Sequence, residues 1–225
     1  MGTKEPQYNM QVEEANEKGL AKLGLTTSHT YRNDPRRLLF LLSRYKFVSK
    51  MFSNYENILE AGCGDGFGTQ IISQECKNID AIDFDEIFIE NCKKNRDNPN
   101  VNFYLHDILD TPFKQNYYNG IYSLDVLEHI PKEKESIYLI NLVKSLKYNG
   151  SLIIGMPSLE SQEYASIQSK QGHINCKSGN ELKTLLEEYF HNVFLFSMND
   201  EVVHTGYSKM AHYILVLCTY KKEFK

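Results

Sequence analysis

The feature that most constrains this chain is a glycine-rich turn between two apolar segments. Residues 58–61 read Ile-Leu-Glu-Ala, and glycines then stand at every second position from Gly62 to Gly68. Residues 70–72 follow as the predicted start of a helix. A buried strand, a tight turn and a helix in this order form the first unit of a nucleotide-binding α/β sheet. Glycines in such a turn let the backbone approach a ligand without a Cβ in the way.

The spacing of these glycines separates two classes of ligand. A dinucleotide fingerprint needs Gly-x-Gly-x-x-Gly. Phe67 stands at the third glycine position counted from Gly62, and Thr69 stands there counted from Gly64. The spacing therefore disfavours an NAD-dependent oxidoreductase. The stretch that begins at Glu60, Glu-x-Gly-x-Gly-x-Gly, instead resembles the first motif of the class I S-adenosylmethionine (SAM) methyltransferases.

The resemblance implies both a fold and a cofactor. The expected fold is Rossmann-like α/β, a seven-stranded, mostly parallel sheet with helices on both faces and an antiparallel C-terminal strand pair. The expected cofactor is SAM. In this family the acid helps to hold the ammonium group of SAM, and the glycines pass beneath its methionyl part. The resemblance thus implies cofactor roles for Glu60, Gly62, Gly64 and Gly66.

A second acid strengthens the prediction of an adenosine site. The predicted second strand ends in Asp83 about 20 residues past the glycines, where a carboxylate can accept hydrogen bonds from ribose hydroxyls. The resemblance gives Asp83 that role and puts Phe84 beside the adenine. It also matches Asp107, followed by Ile108, to the acid that accepts a hydrogen bond from the adenine amino group.

The segment Asp125-Val-Leu-Glu-His-Ile resembles the one after the fourth strand of small-molecule methyltransferases, near the methyl group to be transferred. Asp125 is therefore a predicted cofactor-site residue and His129 a predicted catalytic one. His173, in a polar connection over residues 158–178, is the first candidate for a general base. A histidine with a pKa near neutrality suits the removal of a proton from a hydroxyl or an amine. A purely structural role stays open for both histidines.

Residues 1–54 are predicted as an N-terminal helical segment or flap that contributes to the acceptor pocket. They are expected to form one compact unit with a SAM-binding domain over residues 55–225. Asp34 suits an N-cap and Pro35 a first helical position, so a helix is predicted to begin there.

Three side chains are predicted to bind the acceptor. Arg36 and Arg37 fall in the first turn of that helix, where positive charge opposes the helix dipole. They are interpreted as aimed at an anionic acceptor, with two solvated arginines as the alternative. Tyr164 joins them because it lies in the polar connection over residues 158–178.

Further elements are predicted from apolar spacing and turn signals, beginning with a second strand over residues 78–83 and a third over residues 101–105. A helix is expected from the glycine turn to about Cys76, and another over residues 132–148 that ends at Asn149-Gly150. A fifth strand follows over 151–155, and residues 192–197 and 213–219 are the expected antiparallel pair.

Residues 28–37 resemble methyltransferases associated with bacterial surface-polysaccharide gene clusters. This resemblance implies O-methylation of a phosphorylated or nucleotide-activated intermediate of capsule biosynthesis. The alternatives are an N-methyltransferase of a small amine, an aminopropyltransferase and a non-catalytic SAM-binding protein.

The composition of the chain limits the classes of partner that it is expected to bind. A net charge of −4 and a pI of about 6.0 leave no broad basic surface for nucleic acid. No apolar run predicts a membrane span or a signal peptide. Five scattered cysteines without Cys-x-x-Cys indicate a reduced, cytoplasmic protein without a zinc site. No metal is expected, because the sulfonium already makes the methyl group electrophilic. The expected partner is a small, anionic acceptor, and the expected state is a monomer or a homodimer.

Overall fold

Eight strands form one sheet in the computed structural model, which describes residues 3–96 and 98–223. In chain order the strands are β1 (Asn57–Ala61), β2 (Asn78–Asp83), β3 (Val101–Leu105), β4 (Tyr118–Leu124), β5 (Leu146–Pro157), β6 (Phe190–Asn199), β7 (Val202–His204) and β8 (Tyr213–Lys221). Their order across the sheet is β3-β2-β1-β4-β5-β8-β6-β7. The first five strands run parallel to one another, and β8 runs antiparallel to both β5 and β6. The predicted Rossmann-like α/β fold with its antiparallel C-terminal strands is confirmed.

The sheet has eight strands where seven were expected. The additional strand is β7, which forms a hairpin with β6 through a turn that holds Asp200 at a φ of 49°. Three residues are too few to show the alternation of apolar and polar side chains by which a strand is recognised. The difference leaves the parallel part of the sheet unchanged.

Helices cover both faces of this sheet. They are α1 (Asn9–Lys18), α2 (Leu25–Asn33), α3 (Arg37–Met51), α4 (Thr69–Ile72), α5 (Glu86–Asn95), α6 (Glu135–Ser145), α7 (Ile167–Gly172) and α8 (Gly179–Glu187). Helices α6 and α8 pack in one hydrophobic core, and α3, α4 and α5 in the other. Neighbouring residues on β1 divide between them, since Ile58 belongs to one core and Leu59 to the other. Successive side chains of a strand point to opposite faces, so a covered parallel sheet is apolar throughout.

Two predicted helix boundaries are wrong. Helix α3 begins at Arg37, and Asp34 ends α2 instead of capping α3. Helix α6 ends at Ser145, and β5 begins at once with the buried Leu146, which pairs with Tyr118. Asn149-Gly150 therefore lies inside β5. Pairing with β4 outweighs the local turn signal there.

The helix after the glycine turn is also shorter than predicted. Helix α4 is a single turn that ends at Ile72, followed by further turns up to Cys76. By contrast, β2 and β3 coincide with their predicted ranges, and Asp85 caps α5 by accepting a hydrogen bond from the backbone N–H of Ile87.

The chain reverses its direction across the sheet between β1 and β4. From β1 it proceeds through β2 to the edge strand β3, and it then returns to place β4 on the other side of β1. Ligands of open α/β sheets bind in the crevice that such a reversal leaves at the carboxyl ends of the strands. The glycine turn follows β1 at this edge, Asp83 is the last residue of β2, and Asp125 follows β4. Among the described helices, none has both the length and the apolar character needed to cross a membrane.

Candidate active site

A cavity of about 640 Å³ opens at the carboxyl ends of β1, β2 and β4. The predicted site residues on its wall are Gly62, Gly64, Asp83, Phe84, Asp107, Ile108, Asp125 and His129. The structure thus brings together residues from four separate loops. Other predicted site residues lie elsewhere than on this wall: Glu60, Gly66, His173, Tyr164, Arg36 and Arg37.

Two glycines shape the floor of the cavity. Gly62 has a φ of +82°, and a Cβ at this position would lie 2.3 Å from Cγ2 of Val126. Gly64 has a φ of +51°, and a Cβ there would meet no described atom within 4 Å. Gly62 is therefore required for two reasons: a side chain there would clash with Val126, and the positive φ favours glycine. Gly64 leaves a cradle above the turn that a ligand can enter.

Asp83 is held in place by the backbone of two neighbouring loops. Its Oδ2 accepts a hydrogen bond from the N–H of Gly64 at 2.9 Å, and its Oδ1 accepts one from the N–H of Asp85 at 3.0 Å. An ionised carboxylate has about four acceptor positions, so each oxygen retains one for a ligand. Asp107 is fixed in the same way, because its Oδ1 accepts from the N–H of Leu109 at 2.8 Å.

Glu60 lies behind the glycine turn and is 1% exposed. Its carboxylate accepts hydrogen bonds from the hydroxyls of Tyr45 and Thr69. Burial raises the pKa of Glu60 to about 7. The predicted contact between this acid and the ammonium group of a ligand stays a prediction.

The N-terminal helix α2 forms part of the wall. Thr27 donates to Asp65 through both its backbone N–H, at 2.8 Å, and its hydroxyl, at 3.1 Å. The hydroxyl of Thr26 donates to the same carboxylate at 2.9 Å. Both threonines line the cavity. Asp65 was not among the predicted site residues, although its place inside the glycine turn is a signal that could have identified it.

Another part of the cavity wall carries Asp125, one partner of an ion pair. Asp125 has a φ of 58° in the turn after β4, and both of its carboxylate oxygens accept from one guanidinium nitrogen of Arg44, at 2.7 and 2.8 Å. The guanidinium carbon also lies 3.8 Å from the ring centroid of Tyr213. Sequence reasoning did not select Arg44. Its signal is helical spacing, because Arg44 stands three residues after Leu41 and four before Val48, on the inward face of α3.

Beside this ion pair lie the two predicted catalytic histidines. The rings of His129 and His173 meet edge to face, with centroids 5.2 Å apart. Burial, with a smaller contribution from His129, lowers the pKa of His173. Glu128 is 0% exposed, and burial together with the nearby charge of Asp125 raises the pKa of its carboxyl well above the ordinary value.

The predicted acceptor-binding residues are not gathered with these groups. The side chain of Arg36 is 82% exposed and donates to Asp34. Arg37 is also exposed, and Tyr164 is 85% exposed. None of the three lines the cavity formed by the described residues.

Comparison with known proteins agrees with this geometry. Residues 58–150 match the methyltransferase domain family. The chain is 26% identical over 136 residues to the ubiquinone biosynthesis O-methyltransferase of Rickettsia akari (strain Hartford), an alignment that covers 60% of this chain and 53% of that protein. The chain spans about half the length of such curated relatives.

Two solved structures share the fold. One is the complex of a Haloferax volcanii methyltransferase with the Trm112 methyltransferase activator, with a TM-score of 0.67 at 11% identity over 85% of this chain and 96% of that one. The other is the N-methyltransferase NodS of Bradyrhizobium japonicum WM9 bound to S-adenosylhomocysteine, with a TM-score of 0.58 at 19% identity over 85% of this chain and 89% of that one.

Residues 58–150 thus correspond to a methyltransferase domain, and the relatives include proteins named as probable S-adenosylmethionine-dependent methyltransferases. The cavity of this chain fits SAM in two respects. The cradle above Gly64 is open, and Asp83 retains free acceptor positions beside it. In addition, no lysine or arginine is among the described residues of the cavity wall, which instead carries Asp65, Asp83, Asp107 and Asp125. A cationic cofactor suits such a wall. The prediction of SAM as cofactor is confirmed.

Proposed function

We propose that this methyltransferase transfers the methyl group of SAM to an oxygen of a polar small molecule. The observation that carries the proposal is that the glycine turn, Asp83 and His129 line one cavity. When bound, SAM supplies a methyl group that is electrophilic because it is attached to a sulfonium. The protein has to align the acceptor with that group in a site from which water is excluded.

In this proposal the two ends of the cavity have different tasks. Asp83 accepts hydrogen bonds from the ribose hydroxyls, Asp107 accepts one from the adenine amino group, and the glycine turn supports the methionyl part. At the other end, His129 or His173 removes the proton of the acceptor hydroxyl. A lowered pKa keeps His173 neutral near pH 7, which is the form a base requires.

The charge of the wall favours a neutral acceptor. An anionic acceptor would need a cationic partner, and among the described residues Arg36 and Arg37 lie outside the cavity. A phosphorylated or nucleotide-activated intermediate of surface polysaccharide, modified in the cytoplasm, is therefore supported only by the resemblance of residues 28–37. Transfer to oxygen is supported by the two O-methyltransferase relatives. The likeness to NodS supports transfer to nitrogen as a second candidate.

Two measurements test the proposal. Calorimetry should show that S-adenosylhomocysteine binds, and that NAD at the same concentration does not. Labelled SAM should then transfer its methyl group to neutral hydroxyl compounds in preference to sugar nucleotides or amines. Preferential labelling of the sugar nucleotides would contradict the neutral acceptor. Binding of S-adenosylhomocysteine without transfer to any acceptor class would favour a non-catalytic SAM-binding protein.

A further inference from the structure

Three side chains of metal-ligand type meet beside the cavity, and one of them, His129, lines its wall. Glu128, His129 and His173 each place one ligand atom within 4.8 Å of the others. Glu128 and His129 lie in the 3-10 turn Leu127–His129 after β4, and His173 follows α7. The backbone holds the two segments together, because the carbonyl of Glu128 accepts from the N–H groups of Ile174 and Asn175 at 2.9 and 3.0 Å.

Hydrogen bonds fix the orientation of both imidazole rings. Nδ1 of His129 lies 2.9 Å from the carbonyl oxygen of Gly172. A carbonyl can only accept, so Nδ1 carries the proton and donates it. In the neutral ring, Nε2 of His129 then has a free lone pair. Metal-ligating histidines are generally held in this way, with the other ring nitrogen donating to a carbonyl or carboxylate.

The same logic applies to His173 through Gln162. Nε2 of Gln162 lies 3.2 Å from the carbonyl oxygen of Ser158, and it must be the amide donor because that carbonyl accepts. Oε1 of Gln162 therefore faces Nδ1 of His173, at 2.8 Å. His173 donates through Nδ1, and its Nε2 is also left with a free lone pair.

Glu128 supplies a second, independent observation. Its side chain is fully buried, and neither carboxylate oxygen has a hydrogen-bond partner in the described part of the chain. Arg44, the nearby cation, is already paired with both oxygens of Asp125. A buried carboxylate without a partner is costly, whereas a bound cation would satisfy it.

We propose that Glu128, His129 and His173 bind a divalent transition-metal ion. Two imidazoles and one carboxylate form a ligand set suited to Zn²⁺ and its neighbours, and they leave further positions open for an exogenous ligand. Tetrahedral ligand atoms about 2.0–2.2 Å from one ion lie roughly 3.3–3.6 Å apart, so atoms of this cluster would need to approach one another by up to about 1.5 Å. Such a site differs from the sequence-based expectation that no metal is bound.

The role of this ion rests on the proposed function. The cation would coordinate the acceptor hydroxyl and lower its pKa, so that the proton passes to solvent. The oxygen then forms its bond to the methyl carbon as the bond from carbon to sulfur breaks. With the ion bound, His129 and His173 would act as metal ligands, and the ion and solvent would take over the deprotonation for which one of these histidines is otherwise proposed as the base.

Cobalt provides a direct test with the full chain. After treatment with EDTA and desalting, the protein should bind one equivalent of Co²⁺ with visible absorption bands, and Zn²⁺ should displace it. His173→Ala and Glu128→Gln should each weaken Co²⁺ binding at least tenfold. His191→Ala, which changes an exposed histidine on β6, is the matched control and should bind Co²⁺ as the wild type does.

The outcomes are distinguishable. If the wild type shows no saturable Co²⁺ spectrum at millimolar metal, or if His173→Ala binds as tightly as the wild type, the cation site is wrong. His173 is partly exposed, so this variant keeps the test decisive should Glu128→Gln fail to fold. S-adenosylhomocysteine binding, measured on the same samples, reports on the proposed function separately. Its absence would count against the methyltransferase proposal and leave the cation result standing.

Discussion

The proposed cofactor end and the proposed acceptor end of the cavity differ in how their acidic groups are hydrogen-bonded. At the cofactor end, Asp83, Asp65 and Glu60 all accept hydrogen bonds from neighbouring backbone or hydroxyl groups. At the acceptor end, Asp125 depends on one arginine, and the buried Glu128 has no partner among the described residues.

The difference indicates at which end the acidic groups already have their hydrogen-bond partners before a ligand binds. Charged groups held by fixed hydrogen bonds are pre-organised, so little free energy is lost to reorganisation when a ligand binds them. A buried acid without a partner is instead completed by a proton, an ion or a substrate. We therefore expect each substitution at the cofactor end to cost about as much free energy as the hydrogen bond it removes. At the acceptor end we expect the effects of paired substitutions to be strongly non-additive.

The largest expected effect concerns Glu60 and pH. Burial raises its pKa from the ordinary 4.5 to about 7 in the folded state, so the folded protein holds this proton to a higher pH than the unfolded chain does. The resulting stabilisation is complete below the ordinary pKa and is lost as pH rises through about 7. Relative to Glu60→Gln, the wild type should lose up to about 3 kcal/mol of unfolding free energy between about pH 5 and pH 8.

Urea unfolding across that range would measure this change. The exposed Glu90→Gln on α5 is the control and should follow the wild type at every pH. If the curves of Glu60→Gln and the wild type run parallel, the carboxyl of Glu60 does not titrate in this range, and the proposed pKa of about 7 is wrong.

The ion pair between Arg44 and Asp125 should give the next largest effect. Their side chains are 17% and 32% exposed, so the pair is partly shielded from water. Breaking a fully buried pair costs about 3–5 kcal/mol, and we expect Arg44→Met and Asp125→Asn to cost about 2 kcal/mol each. A double-mutant cycle should give a coupling of about 1–3 kcal/mol.

The surface pair of Lys77 and Glu56 is a matched control for that cycle. Its side chains are 66% and 59% exposed, and exposed pairs couple by less than about 1 kcal/mol. Unfolding free energies for Lys77→Met, Glu56→Gln and the double variant would set this baseline. An equal coupling in the two cycles would remove the contrast between the two ends of the cavity.

The sequence predicts the two ends unequally well, because the two ends differ in how far apart in the sequence their contacting residues are. Strands β2 and β3 coincide with their predicted ranges because short apolar runs and turn residues identify them locally. The cofactor end is built mostly from such local units, so its residues stand together in the sequence. Its assigned contacts with SAM remain predictions.

The acceptor end depends on pairings between distant residues. Arg44 and Asp125 are 81 residues apart, and no local pattern connects them. His129 and His173 were each predicted as site residues from separate segments, but only the folded chain shows their rings together above a buried Glu128. The boundary between α6 and β5 was misplaced for the same reason, since pairing of Leu146 with Tyr118 determines it.

A smaller change in binding is expected for Asp83→Ala at the cofactor end. The loss of a charged hydrogen-bond acceptor should weaken S-adenosylhomocysteine binding by about 1–3 kcal/mol, or about 5- to 150-fold. Calorimetry measures this directly. Asp110→Ala, an exposed aspartate outside the cavity wall, is the control and should bind as the wild type does. Unchanged affinity in Asp83→Ala would remove this residue from the cofactor site.

The smallest expected effect tests whether α2 belongs to the pre-organised end. Thr27→Val keeps the backbone N–H bond to Asp65 and removes only the hydroxyl donor. The loss of one buried hydrogen bond should ease local opening of α2 by about 1 kcal/mol, measured as faster amide hydrogen exchange over residues 25–33. Thr30→Val alters a hydroxyl on the same helix that makes neither of these bonds, and it should leave the exchange unchanged.

If bound S-adenosylhomocysteine slows exchange in the wild type and Thr27→Val alike, α2 closes over the cofactor. If the ligand leaves exchange unaffected, the helix is a fixed wall and the predicted flap is wrong.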